Sequence, residues 1–240
     1  MTTTTTRSPK AYRGPAMEGA IARWYARITQ RDRGYRALAE ALAARLPPGA
    51  RVLEVAPGPG YLAIELARRG LAVSAVDISR TFVQIAADNA RAAGVAVDVR
   101  VGNASELPYP DGAFDLVICR AAFKNFRDPL GALDEAYRVL APGGRASIID
   151  LRKEASRDEI RAEVDAMGLS PLNALWTRWT FRWFLLGKAY TEPALRQLVE
   201  RSRFGGGAVE SAGGSVEIVR DGIAFDLRLT RPRAPAGTSA

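Results

Sequence analysis

The residues with the clearest chemical potential lie between Arg51 and Asp77. Arg51-Val52-Leu53-Glu54-Val55-Ala56 is a short apolar run carrying one acid, Pro57-Gly58-Pro59-Gly60 follows at once, and a helical pattern from Tyr61 to Arg69 leads into Leu71-Ala72-Val73-Ser74-Ala75-Val76-Asp77. A buried parallel strand, a sharp turn, a helix and a second strand account for that order. Gly58 and Gly60 lack a Cβ, so the turn can take positive φ and let a ligand approach the main chain. The N–H groups that open the helix favour an anionic group. Asp77 follows Glu54 by 23 residues and falls at the carboxyl end of the second strand, where a carboxylate can accept hydrogen bonds from both hydroxyls of a ribose. Loop and acid together read as a nucleoside site. Gly58-x-Gly60-x-x-Ala63 alone fits the dinucleotide pattern and admits NAD or FAD.

The elements that must position these groups alternate regularly. Ser79 is placed to cap a helix running to about Ala93 and Gly94 to end it. Val95–Val101 reads as a third strand, 114–119 as a fourth, Pro129 to Leu140 as a helix and Arg145–Asp150 as a fifth strand. Such alternation requires a parallel sheet with right-handed crossovers, an α/β doubly wound fold whose ligands lie at the strand carboxyl ends. Two amphipathic helices precede it, Met17 to Gln30 and Tyr35 to Leu46, with Ile21, Trp24, Tyr25 and Ile28 at helical spacing. Trp24 and Tyr25 pack the first helix on the sheet, or Tyr12, Tyr25 or Tyr35 face the ligand. After Asp150 come a charged helix over 154–168 and the densest aromatic stretch, 171–188. The segment 191–202 is a further crossover helix. Asp221-Gly222 then joins two strands, Ser215–Arg220 and Ile223–Thr230, as a hairpin.

The wider pattern Glu54-Val55-Ala56-Pro57-Gly58-Pro59-Gly60 resembles the first motif of class I S-adenosylmethionine (SAM) methyltransferases. The resemblance continues through Asp77, Gly102-Asn103-Ala104, Phe114 to Cys119, and Arg138-Val139-Leu140-Ala141-Pro142-Gly143-Gly144, and so covers roughly residues 50 to 150. It implies a Rossmann-like, mostly parallel seven-stranded sheet with an antiparallel last strand, N-terminal helices and a helical lid insertion over 154–190. The domain spans 15–230, its N-terminal helices occupy 15–48, and residues 1–14 and 231–240 are flexible tails. SAM is the implied cofactor and S-adenosylhomocysteine its product. The implied contacts are Glu54, Ala56, Pro57, Gly58 and Gly60 around the methionine part, Asp77 and Ile78 at the ribose, Asn103 and Ala104 at the adenine, and Arg120. Two departures stand out. Ala56 replaces the usual first glycine, and Asn103 replaces an acid that often holds the adenine amino group, a bond an amide oxygen can still accept.

Methyl transfer from a sulfonium depends largely on alignment, and oriented reactants contribute on the order of 7–11 kcal/mol. The chain has no histidine, so the commonest general base is missing, and no His/Cys/carboxylate set has metal-ligand spacing. In the loop Arg120-Ala121-Ala122-Phe123-Lys124-Asn125-Phe126-Arg127-Asp128-Pro129, the family often has a histidine pair where Lys124 and Asn125 stand. Lys124 is the candidate catalytic residue. Phe123, Asn125, Arg152, Trp176 and Trp179 are candidate substrate contacts. Lys124 and Arg120, joined by Arg152-Lys153, would hold an anionic substrate group; alternatively Arg120 touches only the cofactor and Lys124 faces solvent.

With 240 residues, 48% of them hydrophobic, the chain can bury one substantial core. Cys119, its single cysteine, lies inside the fourth strand and reads as a core filler. There is no disulfide framework and no apolar run long enough to span a bilayer, which points to a cytoplasmic protein without a membrane partner. Residues 1–50 carry nine Lys+Arg against three Asp+Glu, whereas 51–150 carry 11 against 12. That imbalance keeps RNA or a protein in view as an alternative acceptor, although no RNA-binding signature appears. A small-molecule substrate is the leading reading. NAD-dependent oxidoreduction and SAM binding without turnover are the others, and a homodimer is left open.

Overall fold

The computed structural model describes residues 17–30, 34–166, 175, 177, 186–205 and 214–233. Its strands are β1 Arg51–Val55, β2 Ala72–Asp77, β3 Val97–Val101, β4 Phe114–Arg120, β5 Leu140–Leu151, β6 Ser215–Asp221 and β7 Ala224–Thr230. They form one sheet in the order β3-β2-β1-β4-β5-β7-β6. Strands β1 to β5 pair in parallel, and β7 runs antiparallel to both β5 and β6. This is the expected doubly wound sheet with an antiparallel last strand. Val52 to Val55 are all buried because helices cover both faces of the sheet, which is why β1 reads as an almost unbroken apolar run.

The helices are α1 Gly19–Thr29, α2 Gly34–Ala43, α3 Tyr61–Ala67, α4 Arg80–Ala92, α5 Pro129–Val139, α6 Arg157–Ala166 and α7 Glu192–Arg201. Their starts follow local chemistry. Ser79 Oγ accepts the Phe82 N–H at 3.0 Å, Asp128 accepts the Gly131 N–H at 2.9 Å, and Thr191 Oγ1 accepts the Ala194 N–H at 3.3 Å. Side-chain caps of this kind satisfy donors that have no partner within the helix. One core lies between the sheet and α5 and α7, built around Leu53, Val117, Leu133, Val139, Leu195 and Phe204. The other joins Val52, Leu62, Leu66 and Ile118 to Ala39 of α2. Cys119 is buried in the first. A satellite cluster of Ile160, Val164, Leu186, Ala189 and Ile223 secures α6.

Four details differ from the sequence reading. Trp24 points outward, 60% exposed, while Tyr25 packs edge-on against Phe82 of α4 at 5.9 Å. Ala141-Pro142-Gly143-Gly144 lies inside β5 as a bulge: Leu140 pairs with Phe114 and Arg145 with Leu116, so four residues face Asp115 alone. Gly143, at φ +78°, makes that detour without a Cβ penalty. The hairpin turn is Gly222-Ile223, one residue later than expected, because Asp221 pairs with Ala224 and Ile223 is drawn into the satellite cluster. Finally, Arg231 to Arg233, read as part of a tail, are docked. Arg231 exchanges main-chain bonds with Gly143 and Gly144 at 3.0 and 2.9 Å, and its guanidinium donates to the carbonyls of Tyr137, Arg138 and Leu140 and stacks on Tyr137. The tail 1–14, Tyr12, Trp176 and Trp179 lie outside the described residues.

Candidate functional site

The loop after β1 is held tightly on one side and open on the other. The Ala56 N–H donates to Val76 O at 2.8 Å, and Ala56, Gly58 and Gly60 take φ of +58°, +54° and +79°. A Cβ on Gly60 would come within 2.9 Å of the Ala86 Cβ, whereas a Cβ on Gly58 would meet nothing within 4 Å. Gly60 is therefore required by packing against α4, and Gly58 marks the face a ligand can approach. Ala56 holds a left-handed conformation that costs an L-residue roughly 1–2 kcal/mol, so its methyl group is tolerated under strain.

Two carboxylates lie beneath this loop; Asp77 uses one of its N–H groups and Glu54 uses one from the helix that follows. Glu54, 3% exposed, accepts the Ala63 N–H in the first turn of α3. Asp77 accepts the Gly58 N–H at 3.1 Å through Oδ2 and the Ser79 N–H at 2.8 Å through Oδ1. The sequence reading expected these donors to attract an anionic group. The Gly58 and Ala63 N–H groups instead serve the protein's own acids, which leaves those two unavailable to an outside anion. Among the described residues, Glu54 Oε2 is the buried side-chain atom with no hydrogen-bond partner. Burial pushes Glu54 up to about 8, against the Ala63 N–H and the Arg120 charge, which favour its ionised form. Burial likewise raises Asp77 to about 6, opposed by the N–H groups of Ser79, Gly58 and Ile78.

A pH dependence of stability follows. A folded state that keeps a proton the unfolded chain has released loses stability as pH rises. For Glu54 the window runs from its ordinary 4.5 to about 8, and for Asp77 from 3.8 to about 6. Between pH 6 and 8 the slope belongs mainly to Glu54. Glu54→Gln should flatten the urea-denaturation midpoint over that range and exceed the wild-type stability at pH 8 by roughly 1–3 kcal/mol. Parallel curves for the two proteins would show that Glu54 is already ionised at pH 6.

The N-terminal segment closes the corner next to Asp77, and the sequence reading missed its key residue. The Glu18 carboxylate accepts the N–H groups of Arg80 and Thr81 at 2.9 and 3.0 Å and the Thr81 hydroxyl. Ser79 Oγ donates to Met17 O at 2.6 Å, and the Gly19 N–H donates to Thr81 Oγ1 at 3.0 Å. Glu18 thus occupies a helix N-terminus favourable to an acid, and its charge also raises Asp77. Further along, Tyr61 Oη donates to Ala26 O at 2.9 Å. The Arg120 guanidinium lies 4.5 Å from the centre of the Tyr35 ring.

The loop after β4 departs from the expectation for Lys124. Its ammonium is buried, 2.7 Å from Asp150 Oδ1 and 2.8 Å from Ala121 O, and its N–H donates to Asp150 Oδ2 at 2.8 Å. Ala121, at φ +61°, bends the chain so that its N–H reaches Ile149 O at 2.7 Å. Lys124 therefore ties this loop to the end of β5, buried rather than facing solvent. Phe123 is 1% exposed and packs between Phe126 and Tyr190 at 5.6 and 5.5 Å, as a core residue. Arg152 is likewise engaged, donating to Gly222 O at 2.7 Å and pairing with Glu159. Asn125 is partly exposed in the 3-10 turn 123–125. Ile78 is 45% exposed, Asn103 Oδ1 accepts the Ser105 N–H at 3.2 Å, and Ala104 packs on the core. Glu54, Ala56, Pro57, Gly58, Gly60, Asp77, Ile78, Asn103, Ala104 and Arg120 all come from the carboxyl ends of β1 to β4 or the loops that follow them.

Residues 53–148 match the methyltransferase domain family. Among methyltransferases, a demethylmenaquinone methyltransferase of Deinococcus radiodurans is 41% identical over 127 residues, 52% of this chain and 52% of that protein. A ubiquinone biosynthesis O-methyltransferase of Xanthomonas axonopodis pv. citri is 35% identical over 116 residues, 48% of each. The chain spans about half the length of the curated relatives it matches. Its fold is that of a SAM-dependent methyltransferase of Aquifex aeolicus, with a TM-score of 0.63 at 21% identity, covering 88% of this chain and 98% of the other. The methyltransferase match covers β1 through most of β5, the part of the sheet that carries both carboxylates.

Proposed function

We propose that the chain transfers the methyl group of SAM to a small-molecule acceptor. The observation that carries this reading is the polarity of the loop after β1. Ala63 and Gly58 N–H groups are taken by Glu54 and Asp77, and Glu54 Oε2 lacks a partner. A pyrophosphate needs free N–H donors, and two of those here are taken by the protein's own acids, which counts against a dinucleotide. They fit a ligand with an ammonium group, a sulfonium and ribose hydroxyls. Glu54, Ala56, Pro57, Gly58 and Gly60 would hold the amino-acid part, Asp77 and Ile78 the ribose, and Asn103 and Ala104 the adenine, with Arg120 beside them. Bound SAM supplies an electrophilic methyl group and leaves as S-adenosylhomocysteine.

The chain's own residues hold and orient. Ser79 and Gly58 fix the Asp77 carboxylate through its two oxygens, so less order is lost when it meets a ligand. Lys124 and Asp150 fix the loop that borders the acceptor side, which makes Lys124 a positioning residue. The names of the two relatives favour a quinone-type ring as acceptor. Calorimetry with SAM, S-adenosylhomocysteine and NAD tests the donor, and transfer of a labelled methyl group to hydroxylated aromatic rings and to total RNA, side by side, tests the acceptor. Binding of SAM with label on the small molecules is expected. Binding of NAD without SAM, or label confined to RNA, would overturn the reading.

A further inference from the structure

We propose that the outward face of α1 docks on an anionic lipid surface. Ile21, Trp24 and Ile28, spaced three and four residues apart, form one stripe and are 48%, 60% and 56% exposed. The opposite face of the same helix is committed to the protein: Ala22 and Ala26 are buried, Tyr25 packs on Phe82, and Ala26 O accepts Tyr61 Oη. The helix is therefore held rigid, and its apolar stripe faces solvent. Single exposed apolar residues are ordinary, but a row containing a tryptophan on a preformed helix marks a contact surface.

Charge selects the partner. Arg23 and Arg27 are exposed along the stripe, and Gly19–Thr29 contains no acid. Glu18, the acid just before the helix, is already bonded to the α4 N-terminus. A second copy meeting this face across a two-fold axis would bring arginines towards arginines with no counter-charge on the helix. RNA would satisfy the arginines but gain little from two isoleucines, which offer no stacking surface. A bilayer with anionic headgroups matches all three features, since the aliphatic side chains enter the acyl boundary, Trp24 sits at the headgroup level and the arginines meet phosphate.

The sequence reading of no membrane partner rests on the absence of a span, and none of the described helices is long and apolar enough to cross a bilayer. Surface docking is a separate mode. Because Met17 and Glu18 hold α1 against the corner that carries Asp77, docking would bring the bilayer close to the site. Its use for a lipid-borne acceptor rests on the function proposed above, whereas the docking does not.

The test is flotation of the full chain with vesicles of phosphatidylcholine alone or mixed equally with phosphatidylglycerol, at low and high salt. Wild type should float with the mixed vesicles and be released by salt. Arg23→Gln/Arg27→Gln should weaken binding roughly thirtyfold, at about fivefold per arginine, and Ile21→Ser/Ile28→Ser should abolish it, both with unchanged circular dichroism and SAM affinity. Failure of the wild type to float, or flotation indifferent to both variants, would overturn the proposal. So would sedimentation showing a dimer that Ile21→Ser/Ile28→Ser dissociates, since a second copy would then cover the stripe. Loss of lipid binding with SAM affinity intact separates this proposal from the proposed function.

Discussion

Lys124→Met should lower the unfolding free energy by about 3–5 kcal/mol, the usual effect of stranding a buried charge. The side chains of Lys124 and Asp150 are 7% and 0% exposed, and their charged atoms lie 2.7 Å apart. Removing the ammonium leaves the carboxylate with the N–H groups of residue 124 and Leu151 as donors, too little to replace a full counter-charge. Lys124→Met/Asp150→Asn should recover more than half of the loss, because the pair acts as a unit. Urea denaturation of the two variants and of Asp150→Asn measures the coupling. If Lys124→Met instead unfolded within about 1 kcal/mol of wild type while turnover collapsed, Lys124 would be meeting the acceptor after all.

Asp77→Ala should weaken SAM by about 2–4 kcal/mol, as expected for lost hydrogen bonds to a charged group. That is roughly a thirtyfold to a thousandfold rise in Kd. Some of the loss is indirect, since the same carboxylate fixes the Gly58 and Ser79 N–H groups. Asp77→Asn, which keeps one acceptor oxygen, should fall between the two. Wild-type affinity should also drop as pH is lowered through about 6, where burial has placed the Asp77 titration, because the ionised form is the better acceptor. Calorimetry across that range checks both expectations. Unchanged affinity in Asp77→Ala would place the ribose elsewhere.

What was legible in the sequence is what short-range chemistry encodes. Pro57 to Gly60 announced a turn because only certain residues take its dihedrals, Ser79 announced a helix start, and the spacing from Glu54 to Asp77 placed two acids at neighbouring strand ends. The hairpin of β6 and β7 was readable from Asp221-Gly222 to within one residue, and the deviation came from Ile223, whose partners on α6 lie far away in sequence. The missed features were all choices of distant partner. Lys124 finds Asp150 across 26 residues, Arg152 finds Gly222 across 70, and Glu18 finds Thr81 across 63. An acid near the end of β5 and a lysine in the loop after neighbouring β4 were the available signal for the first pair. Nothing near Phe123 distinguishes a ring that lines a pocket from one that fills a core, since both need the same residue type.

The grip of Arg231 on α5 bears on the order in which the protein matures. Its guanidinium reaches back 94, 93 and 91 residues to carbonyls at the end of that helix, groups that have no acceptor role within the helix itself. The end of that helix thus waits for a residue synthesised 91 to 94 positions later. Contacts of such long sequence separation form slowly, so the end of α5 is completed only after everything through Arg231 has left the ribosome.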